Sequence, residues 1–175
     1  MTLRFVAGLL LVAAAPTLAA QEVSKEYRVK AAFLYNFVKY VEWPAQAATG
    51  PIVICVAGRN PFGSILAETV RGETVAGRTL DARVILEPDP GCHVVFLPSS
   101  GANAPAYLRA ARGTPTLTVG ESNDFIEQGG LVRFYVDGGT VRFEINRESA
   151  DRSGLRISSR LLQLARIVSA SSGRP

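Results

Sequence analysis

Two runs of strand length, IVICVA over residues 52–57 and HVVFL over 93–97, are apolar without interruption and rich in β-branched residues. A strand with one wet face alternates polar and apolar side chains, whereas an unbroken run needs cover on both faces. The segments around them must therefore lie on either side of one sheet. Helical patterns over residues 61–71 and 105–112 alternate with strand patterns over 52–57, 79–86, 93–97 and 116–119. Elements in that order predict right-handed crossovers and a mainly parallel sheet with flanking helices. A chain of 175 residues suffices for one α/β domain with a substantial core. Hydrophobic content of 47% against 19% charged residues excludes a disordered chain.

The longest helical pattern leads into KAAFLYNFVKYVEWP, residues 30–44. Tyr27, Ala31, Leu34, Val38 and Val41 follow steps of four and three and share one face. Phe33, Phe37 and Tyr40 form a second apolar row, while Lys25, Arg28, Asn36 and Lys39 occupy the far side. Such a wide arc fits a deeply seated helix, or a helix whose aromatic row meets another chain. The residue before Pro44 is pushed out of the α region, so the helix is expected to stop near Trp43.

In the strand over 79–86, Leu80, Ala82, Val84 and Leu86 alternate with charged residues, which places it nearer an edge. Asn60 is the expected N-cap of the helix over 61–71, and residues 123–128 form a helical turn ended by two glycines. Residues 131–136 and 140–146 predict a C-terminal antiparallel hairpin around Asp137-Gly138-Gly139. Its polar face carries Arg133, Tyr135, Arg142 and Glu144, and is solvated or binds a polar group. A last helix is expected over 155–169, with Ile157, Leu161, Leu164 and Val168 inward.

Residues 1–20 combine Arg4, an apolar stretch and a small-residue Thr17-Leu18-Ala19 cleavage pattern, the signature of an export signal. The expected organisation is a signal over 1–20, one domain over 21–170 and a flexible tail over 171–175, in an exported, oxidising compartment. In an oxidising compartment the even pair Cys55 and Cys92 most simply forms a disulfide, the alternative being two buried free thiols. Zinc is disfavoured, because His93 and two thiols leave a four-ligand site short.

Catalysis finds little to use. His93 sits inside an apolar strand and fits a packed, hydrogen-bonded imidazole better than a general base. No nucleophile elbow, P-loop, dinucleotide fingerprint or two-histidine metal motif occurs, so no catalytic residue and no cofactor is assigned. The net charge of +4 is scattered rather than clustered, which argues against nucleic acid.

Two kinds of binding surface remain. Arg59, Asn60 and Gly63, in the loop after the first buried strand, occupy the place where open α/β sheets bind ligands. The alternative is that the loop's glycines only shape a turn. Arg78 and Arg156 are further ligand candidates for a receptor. A protein-binding surface would use Phe33, Phe37 and Tyr40 with Lys39 and Arg133 at its rim.

KAAFLYNFVKYVEWP, ICVAG, PFG, CHVVFLP, LTVG, VRFEIN and GLRISSRLLQLA, in that order, make the chain resemble the YfiR family of periplasmic regulators. The resemblance runs from about residue 27 to 165. It implies a non-enzymatic repressor that binds the periplasmic domain of an inner-membrane diguanylate cyclase, and so controls cyclic di-GMP and biofilm formation. It also implies sequestration by an OmpA-like outer-membrane lipoprotein and a homodimeric state. By motif, Cys55 and Cys92 match a disulfide pair of the family, whereas a second pair found in some members is absent. The competing reading is a small-ligand-binding sensor module of another signalling system.

Overall fold

The computed structural model describes residues 18–45 and 49–169. The tail over 171–175 and the export signal, apart from the backbone of its last three residues, lie outside them. In chain order the elements are α1 (Leu18–Tyr40), β1 (Val41–Glu42), β2 (Ile52–Ala57), α2 (Ile65–Val70), β3 (Thr74–Val75), β4 (Arg78–Ile85), β5 (Val94–Leu97), α3 (Ala104–Ala111) and β6 (Leu117–Gly120). They continue with β7 (Val132–Asp137), β8 (Thr140–Asn146), α4 (Arg147–Arg152), β9 (Arg156–Ile157), α5 (Ser159–Leu164) and β10 (Arg166–Val168).

Eight strands form one sheet in the order β10-β8-β7-β6-β5-β2-β4-β3, and β1 pairs with β9 apart from it. The pairs from β4 through β2, β5 and β6 to β7 are parallel, and β7–β8 is the expected antiparallel hairpin. The chain is thus a single mainly parallel α/β domain.

The unbroken apolar run of β2 has the cause inferred for it. Every residue of β2 is buried, and successive side chains feed opposite faces of the sheet. Ile52, Ile54 and Val56 join the core under α1 and α2, whereas Val53, Cys55 and Ala57 join a second core that contains Tyr107 and Leu108 of α3.

Ala31, Leu34 and Val38 on α1, and Val41 just past its end, are buried as the spacing requires. The second apolar row is not a surface stripe. Phe37 is wholly buried, its ring 5.7 Å from that of Phe134 and 5.1 Å from that of Phe143, and half-buried Phe33 packs on the same two rings. The hairpin presents Phe134 and Phe143 side by side, so the helix seats a wide aromatic arc on its own sheet. The helix ends at Tyr40 rather than near Trp43. Val41 and Glu42 leave as a strand that pairs with Ile157 and Arg156, and the Ser158 N–H donates to the Tyr40 carbonyl at 2.9 Å.

The single C-terminal helix expected over 155–169 is replaced by β9, α5 and β10, and a further short helix, α4, precedes them. Gly154, at φ +71°, turns the chain left-handed between α4 and β9. Asn146 and Ser158 then cap α4 and α5, each side chain accepting a backbone N–H. Leu161 is buried as expected, but Leu164 is 72% exposed and Val168 lies in an edge strand. Asn60 caps no helix either. Its Oδ1 accepts the Phe62 N–H and its Nδ2 donates to the Gly63 carbonyl, both at 2.9 Å, and α2 begins after Ser64.

Candidate functional site

The two ends of the parallel strands are built differently. At the amino-terminal end, Cys55 in the middle of β2 is bonded to Cys92, just ahead of β5, with Cα atoms 5.8 Å apart. Both cysteines are buried. The next residue, His93, donates its N–H to the Val53 carbonyl at 2.9 Å, and its Nε2 lies 2.8 Å from the Arg78 guanidinium. That guanidinium also donates to the carbonyls of Thr49, Gly50 and Pro51. Three backbone oxygens and an imidazole therefore hold Arg78 as a clamp across the start of β2. Beside the disulfide a cavity of about 510 Å³ opens between the 88–90 loop, α3 and the 114–116 turn, with Cys92 on its wall.

At the carboxyl-terminal end, β4 and β5 flank β2, and the connections leave it in opposite directions. An open sheet normally offers a ligand crevice at such a point. Here Gly58 and Gly101 meet across it: a Cβ built on Gly58 would lie 2.1 Å from the Gly101 carbonyl oxygen. Buried Phe62 fills the space below, its ring 4.9 Å from that of Phe96 and 5.2 Å from that of Tyr27. Backbone and an aromatic ring occupy the crevice.

Next to it lies a charged cluster that spacing arguments had not assigned. Lys30 is 4% exposed and pairs with both Glu26 and Glu121, the residue that follows β6. The Ser99 N–H donates to Glu121 at 3.1 Å and the Tyr27 hydroxyl at 3.2 Å. Burial, then the charge of Glu121, pushes the Tyr27 hydroxyl well above its ordinary pKa. On the polar face of the hairpin, Glu144 is 4% exposed between Arg133, at 2.6 Å, and Arg166, whose Nε donates at 2.9 Å. Burial pushes the Glu144 carboxyl up, but hydrogen bonds and charge from the two arginines outweigh it and hold the group below its usual range. Arg133 also donates to Asn123 at 3.1 Å and lies over the Tyr135 ring. A hollow of about 300 Å³ between the two ion clusters is walled by Lys30, Glu121, Arg133 and Tyr135.

The lysine carried a legible signal: residues 30, 34, 37 and 41 share the buried stripe, and Glu26 stands one turn away. For Glu144 the hairpin pattern set Arg133 on the same face, but nothing in the sequence brought in Arg166 from β10.

The residues singled out from sequence do not converge. Arg59 and Gly63 are exposed, Asn60 is spent on its own turn, and Arg78 on backbone carbonyls. Arg156 is exposed on β9, and none of the five lines the cavity beside Cys92. Of the partner-binding set, Phe37 is core, Phe33 and Tyr40 are half-buried, Arg133 is held by Glu144, and Lys39 is exposed. Among the described residues no group of three His, Cys, Asp or Glu could hold a metal ion, and no helix is long and apolar enough to cross a membrane.

The YfiR/HmsC-like family model (DUF4154) matches residues 27–166, from the first aromatic that α1 lays on Phe62 to the arginine that closes on Glu144. The chain belongs to the YfiR/HmsC-like family, a regulatory family of cyclic di-GMP signalling.

Proposed function

We propose that this protein is a periplasmic repressor that binds the periplasmic sensor domain of an inner-membrane diguanylate cyclase and keeps cyclic di-GMP low. The observation that carries the reading is the occupied crevice. The place where an α/β sheet would bind a substrate is closed by the approach of Gly58 to Gly101 and by Phe62, so the chain's outer surface is what it has to offer. An OmpA-like outer-membrane lipoprotein would compete for the repressor, which acts as a homodimer. Exposed Lys39, whose ammonium lies over the Tyr35 ring, is the docking candidate on α1, with half-buried Phe33 and Tyr40 on the same helix.

The test is capture of the cyclase's periplasmic domain by the purified protein, with cyclic di-GMP measured in a deletion strain. Binding together with a rise in the dinucleotide on deletion is expected; unchanged levels would refute repression. Lys39→Glu should weaken capture without lowering the unfolding midpoint. The cavity of about 510 Å³ beside Cys92 favours a second reading, a ligand-binding sensor module, since its size and apolar walls suit a small molecule. That reading requires added periplasmic extract to raise the unfolding midpoint, and for Ala110→Trp, which fills the cavity, to abolish the rise.

A further inference from the structure

The outer side of β4 is an unfinished edge. β3 reaches only its first two residues, through Thr74 with Thr79 and Val75 with Arg78, and the Leu80 N–H then donates to the Glu73 carbonyl at 3.2 Å. Alternate residues of a strand turn their backbone groups to opposite sides. The Ile85 carbonyl accepts from Gly58 on the β2 side, so even-numbered residues of β4 point away from β2, as the Leu80 bond requires. Along that outer side the Ala82 N–H is taken by the Asp81 carboxylate at 2.8 Å, and Pro88 has no N–H to give. Between these two stops lies a window over residues 83–87, on whose outer side no strand of the described residues pairs. Its outward residues are apolar and open: Val84 is 48% exposed and Leu86 79%.

We propose that this window docks a second copy of the chain, antiparallel, across a two-fold axis through Ile85. In that register Val84 lies opposite the partner's Leu86, and each exchanges both backbone hydrogen bonds, four in all by symmetry. The two exposed apolar side chains cover each other, and Arg83, which holds Asp89 of its own chain at 2.7 Å, stands opposite the partner's Glu87. The window is its own complement, as an isologous contact requires.

Neighbouring registers are worse. Moving the axis to Arg83 opposes the two arginines, and moving it to Val84 sets Asp81 against the partner's Glu87. Moving it to Ala82 directs Val84 at Leu80, whose N–H Glu73 already holds. Leu86 and Glu87, a bend in the single chain, extend β4 by two residues in the pair. Two eight-stranded sheets then become one and leave no open β4 edge to recruit other strands. The inference names the surface of the homodimer in the proposed function, yet it does not depend on the cyclase: loss of cyclase binding leaves it intact, and a monomeric repressor sinks it alone.

Sedimentation of the protein as its host processes it, over a wide concentration range, should give a reversible dimer, with slow hydrogen exchange at the Val84 and Leu86 amides that speeds up on dilution. Leu86→Lys, at an exposed site, should weaken the dimer at least tenfold with an unchanged far-ultraviolet spectrum. Arg83→Glu should weaken it as well, and adding Glu87→Arg should restore it, since the swap rebuilds the pair with its sign reversed. A monomer at every concentration, a dimer indifferent to Leu86→Lys, fast exchange at both amides in the dimer, or no rescue by the double swap would each overturn the proposal.

Discussion

Replacing Cys55 and Cys92 together by alanine isolates what the crosslink does. The bond closes a loop of 37 residues, and the loop-entropy model assigns such a closure about 4 kcal/mol, acting on the unfolded chain. Both sulfurs are also buried, so truncation removes core contacts worth about 1 kcal/mol more in all. The sum, about 5 kcal/mol, is a large share of the roughly 5–15 kcal/mol that holds a domain folded. At roughly 2–4 °C per kcal/mol for a domain of this size, the unfolding midpoint should fall by about 10–20 °C. Urea denaturation, with and without reductant, is the assay. The reduced native protein should lose about 4 kcal/mol and the alanine pair about 1 kcal/mol more, and the denaturant slope of both should rise, because an uncrosslinked unfolded chain exposes more surface. A loss below about 1 kcal/mol would refute the loop argument. A full loss at unchanged slope would relocate the effect to native packing. If the chain works by presenting a stiff surface, Cys55→Ser should lower the midpoint and weaken repression together; normal repression at the lower midpoint would separate the two.

Three further perturbations address the carboxyl-terminal end. Glu144→Gln takes the charge from between Arg133 and Arg166 and should cost about 3 kcal/mol near neutral pH, the low end for a broken buried pair because the Arg166 side chain is 56% exposed. Since the folded Glu144 pKa lies below the ordinary carboxylate value of 4.5, its contribution is present above that pH and lost as pH falls through the folded value. Midpoints of wild type and variant, measured down the pH scale, should therefore converge in acid; parallel curves would contradict the assignment. Lys30→Met leaves buried Glu121 without its cation and should cost about 3–5 kcal/mol, with substantial recovery in Lys30→Met/Glu121→Gln, measured by the same denaturation. Gly58→Ala adds a Cβ 2.1 Å from the Gly101 carbonyl oxygen at φ +70°, and should cost at least about 2 kcal/mol. Wild-type stability in that variant would mean that the crevice is open.

What could be read from the chain divides by the range of the interactions involved. β2 and β5 were legible because burial on both faces writes itself into consecutive residues, and the hairpin because its turn and alternation are local. The segment after residue 154 was not. Its apolar spacing suits a helix, but a cap at Ser158 and pairing with distant β1 and β8 divide it. Phe37 shows the same limit from the other side: the wheel gives the width of an apolar arc, and only Phe134 and Phe143, a hundred residues away, decide that it faces inward. Candidate ligand residues failed to converge because Arg78 and Asn60 had backbone partners that no motif encodes.

The covalent tie and the ion clusters hold different elements of one sheet, β2 and the start of β5 in one case and α1, β6, β7, β8 and β10 in the other, and this fixes the order in which the molecule should loosen. Cys55 faces the core that contains α3, while its neighbours Ile54 and Val56 face the core under α1. Reduction frees the start of β5 directly, whereas α1 stays held by Lys30 on Glu121 and by Phe37 on the hairpin, neither of which touches sulfur. Local opening follows the weakest cooperative unit. Under reductant, amide exchange should therefore accelerate first in β5 and α3, with the α1 amides of residues 30–38 protected until global unfolding. Simultaneous loss in α1 and β5 would show that the two cores are one cooperative unit, and that the ion cluster gives α1 no separate hold.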